Sequence, residues 1–357
     1  MLKFIKERSD DFNIKYFVNE LTTASKNLGI LEAKIDSYQF NSILIPMLQK
    51  KEAVSSMYIE GTQTTISEVL ENEISPQPSA EKIQIEVRNH VQTLIYGAEY
   101  LRSGKFTHSF MKQIHVYMMT GIIAHGLEKT LGKYKSRDNQ IKSSTGTIVY
   151  TPPTASETKK YMDELISFMN EADDGLNPLI KAAMIHSQFE SIHPFSDGNG
   201  RLGRVLISLY LYKAKVINFP FFYISEAINM DKSVYYRMLT DSRIHTLDAW
   251  IKYFLHKVSV QTVKHIGYID ALNALYIKTK NIVKESINSP KFDEIIECLF
   301  THPVLTATVL EDQLAVSHGQ AVRYLHVLED IHVLMGDDRK RGKKYFFAEL
   351  IELAQRA

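Results

Sequence analysis

Two helical patterns in this 357-residue chain meet at a twelve-residue junction, and no other segment restricts the fold as strongly. The junction reads His193-Pro194-Phe195-Ser196-Asp197-Gly198-Asn199-Gly200-Arg201-Leu202-Gly203-Arg204. Upstream, Leu179 to Glu190 has the pattern of a helix. Downstream, Leu202, Val205, Leu206 and Leu209 recur at helical spacing as an apolar stripe. The chain must turn between the two, and Gly198 and Gly200 allow the positive φ of a tight turn. Arg201 and Arg204 fall on a different stripe with Ser208 and project together from the first turn. Backbone N–H groups at that helix start have no intrahelical partner, and the dipole there is positive. The junction is therefore suited to phosphate oxygens.

Each piece alone has an ordinary reading. A His before Pro is a common turn or core residue. Asp-Gly-Asn-Gly is a common solvated turn. Two arginines on a helix can simply be salt-bridged at a surface. Together they supply more: an imidazole able to accept a proton, and a lone carboxylate suited to Mg²⁺. They add a backbone cradle around the Asn199 amide, and fixed cations. That set handles a nucleoside triphosphate. Phe195 is expected to face the core and pin the loop.

A second feature lies far upstream. Ile43 to Ile59 reads as a helix, and Gly61 is a natural stop just past its end. Glu60 then sits in the last turn, where the helix dipole disfavours a carboxylate. Two readings stay open on these grounds: Glu60 is solvated, or it is paired with an arginine from elsewhere.

The twelve-residue segment resembles the signature of the Fic (filamentation induced by cAMP) family, His-x-Phe-x-Asp/Glu-Gly-Asn-Gly-Arg-x-x-Arg, at every specified position. The resemblance implies a protein adenylyltransferase that moves AMP from ATP to a Ser, Thr or Tyr hydroxyl and releases pyrophosphate. His193 would be the general base and Asp197 the Mg²⁺ ligand. Gly198, Asn199, Gly200 and Arg201 would cradle the phosphates, and Arg204 would hold the γ-phosphate. The nucleotide-binding run includes Leu202 and Gly203. Ser56-x-x-x-Glu60-Gly61 resembles the family's inhibitory motif in its N-terminal, class II arrangement. Glu60 would then pair with Arg204 as a brake, with Ser56 supporting it from one turn earlier.

Further segments fit around this core. Arg137 to Pro153 reads as a β-hairpin turning at Lys142-Ser143-Ser144-Thr145-Gly146. The resemblance makes it the flap over the active site, with Ile141 and Ile148 placed to clamp a target segment. Tyr235 and Tyr236 are adjacent on a helix and cannot share one face. The resemblance points to Tyr236, with Tyr235 and Leu239, as the adenine pocket. Arg243 stands where relatives often carry an Asn that bonds the base. His186 reads as a packed structural histidine.

The expected architecture is mainly α. It has an N-terminal helical region over 1–90, a Fic-type core with a hairpin flap over 91–275, a linker over 276–290 and a winged helix over 291–357. That last module is inferred from helical stripes at Phe292–Leu299 and His318–Asp330 and a basic wing at Gly336–Phe347. It leaves DNA binding and protein docking or dimerisation both open. The net charge of +1 gives no global pull toward nucleic acid or membrane. One cysteine, Cys298, excludes an intramolecular disulfide. No apolar run long enough to span a membrane occurs, and no signal peptide is evident, so a cytoplasmic protein is expected. The partner is an unidentified target protein, which includes a second copy of the chain. Rival readings are removal of AMP from a modified target, another nucleotidyl or phosphoryl transfer, and a nucleotide-sensing transcriptional regulator.

Overall fold

The structure, a computed structural model, describes residues 2–8, 10–37, 41–142, 145–171, 174–220 and 222–356. In chain order the first elements are α1 (Val18–Asp36), α2 (Asn41–Glu60), α3 (Ile66–Ile74), α4 (Glu81–Leu101) and α5 (His108–Met119). Then come β1 (Ile141–Lys142), β2 (Ile148–Tyr150), α6 (Ala155–Asn170), α7 (Pro178–Ile192) and α8 (Asn199–Lys213). α9 (Ser225–Asn229), α10 (Lys232–Ile244) and α11 (Asp248–Ser286) follow. The chain ends with α12 (Phe292–Thr301), β3 (Val304–Leu305), α13 (Ala307–Leu314), α14 (His318–Asp330), β4 (Met335–Gly336), β5 (Tyr345–Phe346) and α15 (Ala348–Arg356). The fold is mainly α, as the periodicity predicts. Its contacts divide it into one unit of residues 1–37, 52–63 and 85–263 and a second of residues 38–51, 64–84 and 264–357.

The first unit is organised around α7 and α8, which pack against each other, with α6 and α10 on α7 and α5 on α8. The start of α7 is fixed by Asn177, whose side chain accepts the Leu179 N–H at 2.9 Å, and by Pro178 in the first turn. Every residue of α7 from Leu179 to Ile192 is buried. α8 is buried from Leu202 to Leu211, including Arg204 and Ser208. The apolar stripe read from the sequence is thus one face of a helix enclosed on all sides. Enclosed helices leave polar side chains only each other and the backbone as partners. His186 shows this. Its Nδ1 meets the Gly203 carbonyl at 3.0 Å and its Nε2 the Tyr235 hydroxyl at 2.9 Å, the structural role expected of it.

The turn between α7 and α8 uses the left-handed region twice, at His193 (φ 47°) and Gly198 (φ 78°). A Cβ on Gly198 would collide with the Met119 side chain. Gly198→Ala is therefore expected to destabilise the protein by about 2 kcal/mol or more, the sum of backbone strain and displaced packing. A chemical-denaturation midpoint equal to that of the parent would contradict this account of the turn.

β1 and β2 form the expected antiparallel hairpin, pairing Ile141 with Tyr150 and Lys142 with Ile148. Ser143 and Ser144 of the expected turn lie outside the described residues.

In the second unit α13 packs on α14 and α12, and α15 on α3. The small antiparallel sheet has the order β3–β5–β4, with Val304 opposite Phe346 and Gly336 opposite Tyr345. Thr306 and Ser317 cap α13 and α14, and Ala315 makes the left-handed turn between them. The helices expected here appear at the expected places. β3 and α15 were not read from the sequence, because two residues show no alternation and a terminal helix lacks punctuation. The linker expected over 276–290 is helical as far as Ser286, the end of α11.

Candidate active site

The end of α2 is built as a Schellman motif. Gly61, at φ 99°, follows Glu60, its N–H bonds the Tyr58 carbonyl, and the Thr62 N–H bonds the Met57 carbonyl. Glu60 is thereby fixed at the negative end of the helix dipole. Arg204 resolves the two readings left open for it. The guanidinium donates from NH2 to Glu60 Oε1 at 2.7 Å, from Nε to Ser56 Oγ at 2.9 Å and from NH2 to the Ser56 carbonyl at 3.0 Å. Arg204 and Ser56 are buried, whereas the Glu60 side chain remains 35% accessible. Burial acts to raise the Glu60 carboxyl. Arg204 outweighs it and, with Arg201 and His193, holds the group below its usual range. Gly200 is required beside the pair, since a Cβ there would overlap Glu60 Oε1.

The pair opens on a cavity of about 790 Å³. His193, Gly200, Arg204, Glu60 and Glu190 lie along it with Lys232, Tyr235, Tyr236, Leu239, Thr240 and Arg243 of α10 and Ile141, Lys142 and Val149 of the hairpin. Of the two hairpin residues expected to clamp a target, Ile141 lines the cavity; Val149 does so in place of Ile148. The two tyrosines divide as their spacing requires. Tyr235 is buried on His186, and Tyr236 is 45% exposed with its hydroxyl 3.3 Å from the Ile59 carbonyl.

His193 caps α7 in its left-handed conformation, and a network around it sets the loop. Asn139 donates to the His193 carbonyl at 3.2 Å and the Phe195 carbonyl at 3.3 Å. Lys135 donates to Asn139 Oδ1 at 2.8 Å and the Ile192 carbonyl at 3.1 Å. Phe195 is fully buried and stacks on His115 at 4.0 Å, as expected of the residue that pins the loop. His193 Nδ1 is enclosed; the Glu190 carbonyl faces the ring and favours its protonated form, though no hydrogen bond of normal geometry reaches Nδ1. Nε2 is thus the atom left to meet a ligand. Burial, with Lys135 and Arg243 adding, lowers the His193 pKa to about 4, so the ring is neutral at pH 7.

The phosphate-cradle residues divide. Asn199 is buried, and its amide is used within the loop, accepting the Phe195 N–H at 2.9 Å and donating to the Phe195 carbonyl at 2.8 Å. It braces the cradle and does not point into it. Leu202 is core, and Gly203 packs on Glu190. Asp197 and Arg201 lie beside α8's first turn, 3.6 Å apart, and Arg201 is 3.5 Å from Glu86. Asp197 accepts the Gly198 N–H at 2.7 Å and the Ala124 N–H at 3.0 Å, one on each oxygen. Its side chain is 27% accessible, so each oxygen keeps a lone pair and the carboxylate an open edge. A single open carboxylate fits Mg²⁺, which takes its other ligands from phosphates and water. Among the described residues no group of three or more His, Cys, Asp or Glu could hold a metal alone.

Lys135, Asn139 and Glu190 are site residues that the sequence reading missed. Glu190 carried a signal, being one helical turn before His193. Lys135 and Asn139 carried none, because their contacts with the His193 loop span more than fifty residues.

Buried titratable groups set the acid response. His90 and His186 are lowered to about 3, and His115 and His193 to about 4, all chiefly by burial. Their stabilising effect is complete above the unfolded pKa of about 6.5 and is lost as pH falls. Glu32, Glu52 and Glu190 are raised to about 7 by burial. Their contribution runs the other way, complete below about 4.5 and lost as pH rises toward 7. The two sets oppose each other between those limits. Calorimetry should show a nearly constant Tm from pH 7 to 5.5 and a steep fall by pH 4; a steady decline from pH 7 would contradict the assignment.

Residues 105–211 match the Fic/DOC family, and residues 18–99 the Fic/DOC family N-terminal region. The chain thus carries a Fic/DOC family domain preceded by that family's N-terminal region. It is 28% identical over 138 residues to the protein adenylyltransferase Fic of Nematostella vectensis, a match covering 36% of this chain and 30% of that protein. It is also 28% identical over 184 residues to the protein adenylyltransferase and cysteine protease IbpA of Histophilus somni, covering 49% of this chain and 4% of that one. The chain therefore spans less than a third of these relatives. A Fic family protein from Desulfovibrio desulfuricans G20 has a similar fold, with TM-score 0.59 and 19% identity over 93% of this chain and 95% of that one. A Fic domain containing signaling protein from Bacteroides thetaiotaomicron gives TM-score 0.55 and 25% identity over 68% of this chain and 97% of that one. Among the described residues no helix is long and apolar enough to cross a membrane.

Proposed function

We propose that this protein transfers AMP from ATP to a hydroxyl side chain of a target protein, and that Glu60 restrains it by occupying Arg204. The observation that carries the reading is the hold of Ser56 and Glu60 on Arg204 at the edge of a cavity that also contains His193. The target hydroxyl attacks the α-phosphorus, and its proton passes to His193 Nε2. The bond from phosphorus to the bridging oxygen breaks, and pyrophosphate leaves. The N–H groups at the start of α8 and the Arg201 and Arg204 cations hold phosphate oxygens. Mg²⁺, when held by Asp197, would neutralise charge on the departing phosphates. With Glu60 on Arg204, the γ-phosphate loses that cation as its anchor, and the α-phosphorus is not presented for in-line attack. The hairpin supplies an edge for the target backbone.

The test is the intact mass of the full chain after incubation with ATP and Mg²⁺, in wild type, Glu60→Gly and Glu60→Gly/His193→Ala. An adenylyl adduct on the chain, or on proteins of a lysate, confined to Glu60→Gly supports the reading. An equal adduct on the double variant overturns the role of His193.

The second unit we read as a winged helix that docks protein, a second copy of the chain included. Three of the five wing cations are ion-paired: Arg339 with Asp337, Lys343 with Glu329 and Lys344 with Glu71. His318, at the start of α14, meets Glu311 at 2.8 Å. Those pairings lower the cation supply a phosphate backbone needs, and so count against the transcriptional-regulator reading.

A further inference from the structure

Glu190 is the most anomalous side chain of the first unit. It is 6% exposed, its Oε1 is enclosed without a partner, and it makes no hydrogen bond with the described residues. A buried carboxylate normally has partners, and one that lacks them is held by its surroundings for another reason. Here α7 and α8 hold it. Oε1 rests against Gly203, where any Cβ would collide with it, and the carboxylate borders the large cavity. Among the described residues no cation lies within ion-pair distance, although Arg204 and Arg243 both act on it electrostatically.

Its place along the cavity is informative. One end is the phosphate end, marked by Gly200 and Arg204. Another wall is an apolar and aromatic slot, of Tyr236, Leu239 and Val149, suited to a base. Glu190 and Tyr235 line the same cavity as Arg204 at the phosphate end and Arg243 of α10. In a nucleotide the group between phosphate and base is the sugar. Its chemistry complements a carboxyl group, whose oxygens accept hydrogen bonds, because a ribose offers two adjacent hydroxyl donors. Carboxylates read ribose hydroxyls in the same manner in dinucleotide-binding folds.

We propose that Glu190 accepts the ribose hydroxyls of the bound nucleotide and makes the site selective for ribonucleotides over deoxyribonucleotides. This rests on the nucleotide reading of the cavity and names a determinant within it. Glu190 is a specificity residue in this view, distinct from the proton-accepting His193.

The test is calorimetric binding of ADP, 2′-deoxyADP and 3′-deoxyADP to the full chain, wild type and Glu190→Met. ADP is used because it lacks the γ-phosphate that competes with Glu60 for Arg204. Met fills the volume without acceptors, and removal of a partner-free buried carboxylate is expected to leave Tm unchanged or raised. The expected result is a preference of about tenfold or more for ADP over at least one deoxy form in wild type, falling to about twofold in Glu190→Met. Equal affinities in wild type, or a preference that survives in the variant, overturn the role of Glu190. Binding of none of the three nucleotides overturns it together with the adenylyl-transfer reading, and that outcome is distinct from nucleotide binding without sugar selectivity.

Discussion

Glu60→Gly is expected to raise AMP transfer by about 10–100-fold, the weight of a charge-assisted hydrogen bond of roughly 1.5–3 kcal/mol. Arg204 donates to Glu60 Oε1 at 2.7 Å, and a γ-phosphate must displace that carboxylate to use the same NH2. The same change is expected to move stability little. Breaking a buried ion pair commonly costs about 3–5 kcal/mol, because it leaves a charge without a partner. Arg204 is not left so, since Ser56 keeps two bonds to it, and the Glu60 side chain is already 35% accessible. Loss of a carboxylate from the negative end of α2 also returns about 0.3–1 kcal/mol. A Tm within about 5 °C of wild type together with increased labelling is the expected pair of results. Unchanged labelling in a chain that binds ATP would remove Glu60 from the account.

In that activated background His193→Ala is expected to lower transfer by about 10²–10⁴-fold, the range for loss of a positioned general base. His193 is neutral at pH 7, with its pKa lowered to about 4, so almost every molecule can accept a proton. Nucleotide affinity should change little, because the proposed mechanism assigns the phosphates to α8 and the arginines. Stability should change modestly as well. The ring buries an unpartnered Nδ1, and its loop is held through the backbone carbonyls of residues 192, 193 and 195 by Lys135 and Asn139. A variant that keeps nucleotide affinity and loses single-turnover rate meets this expectation. One that loses both in equal proportion would show that His193 is structural.

Much of the site was legible because one local segment carries it. The apolar spacing of Leu202 to Leu209, the glycines at 198 and 200 and the arginines at 201 and 204 are short-range signals, and the helix they predict begins at Asn199. Glu60 was legible as a misplaced charge; the family resemblance named Arg204 as its partner, whereas the helix pattern alone left the partner open until the fold placed α2 beside α8. The Asn199 side chain is used within the loop for a physical reason. A short amide two residues from a loop can bond phosphate or backbone equally well, and only the buried position of Phe195 decides. Glu190 was read as part of a helix; its spacing from His193 was visible, but a local pattern does not tell a solvated carboxylate from an enclosed one. β3 and the end of α11 were missed because two-residue strands and an unpunctuated helix leave no period to detect.

The double hold of Ser56 on Arg204 bears on timing. The hydroxyl fixes Nε and the carbonyl fixes NH2, so the guanidinium keeps its orientation whether or not Glu60 is present. Freeing the arginine then requires rotation of one partly exposed carboxylate and no movement of the backbone. Such rotations take on the order of nanoseconds, whereas enzyme turnover runs at about 1–10³ per second. A restraint of the proposed kind would therefore re-equilibrate many times within each catalytic cycle. It acts as a standing occupancy that divides the rate, and contributes no lag when nucleotide is added.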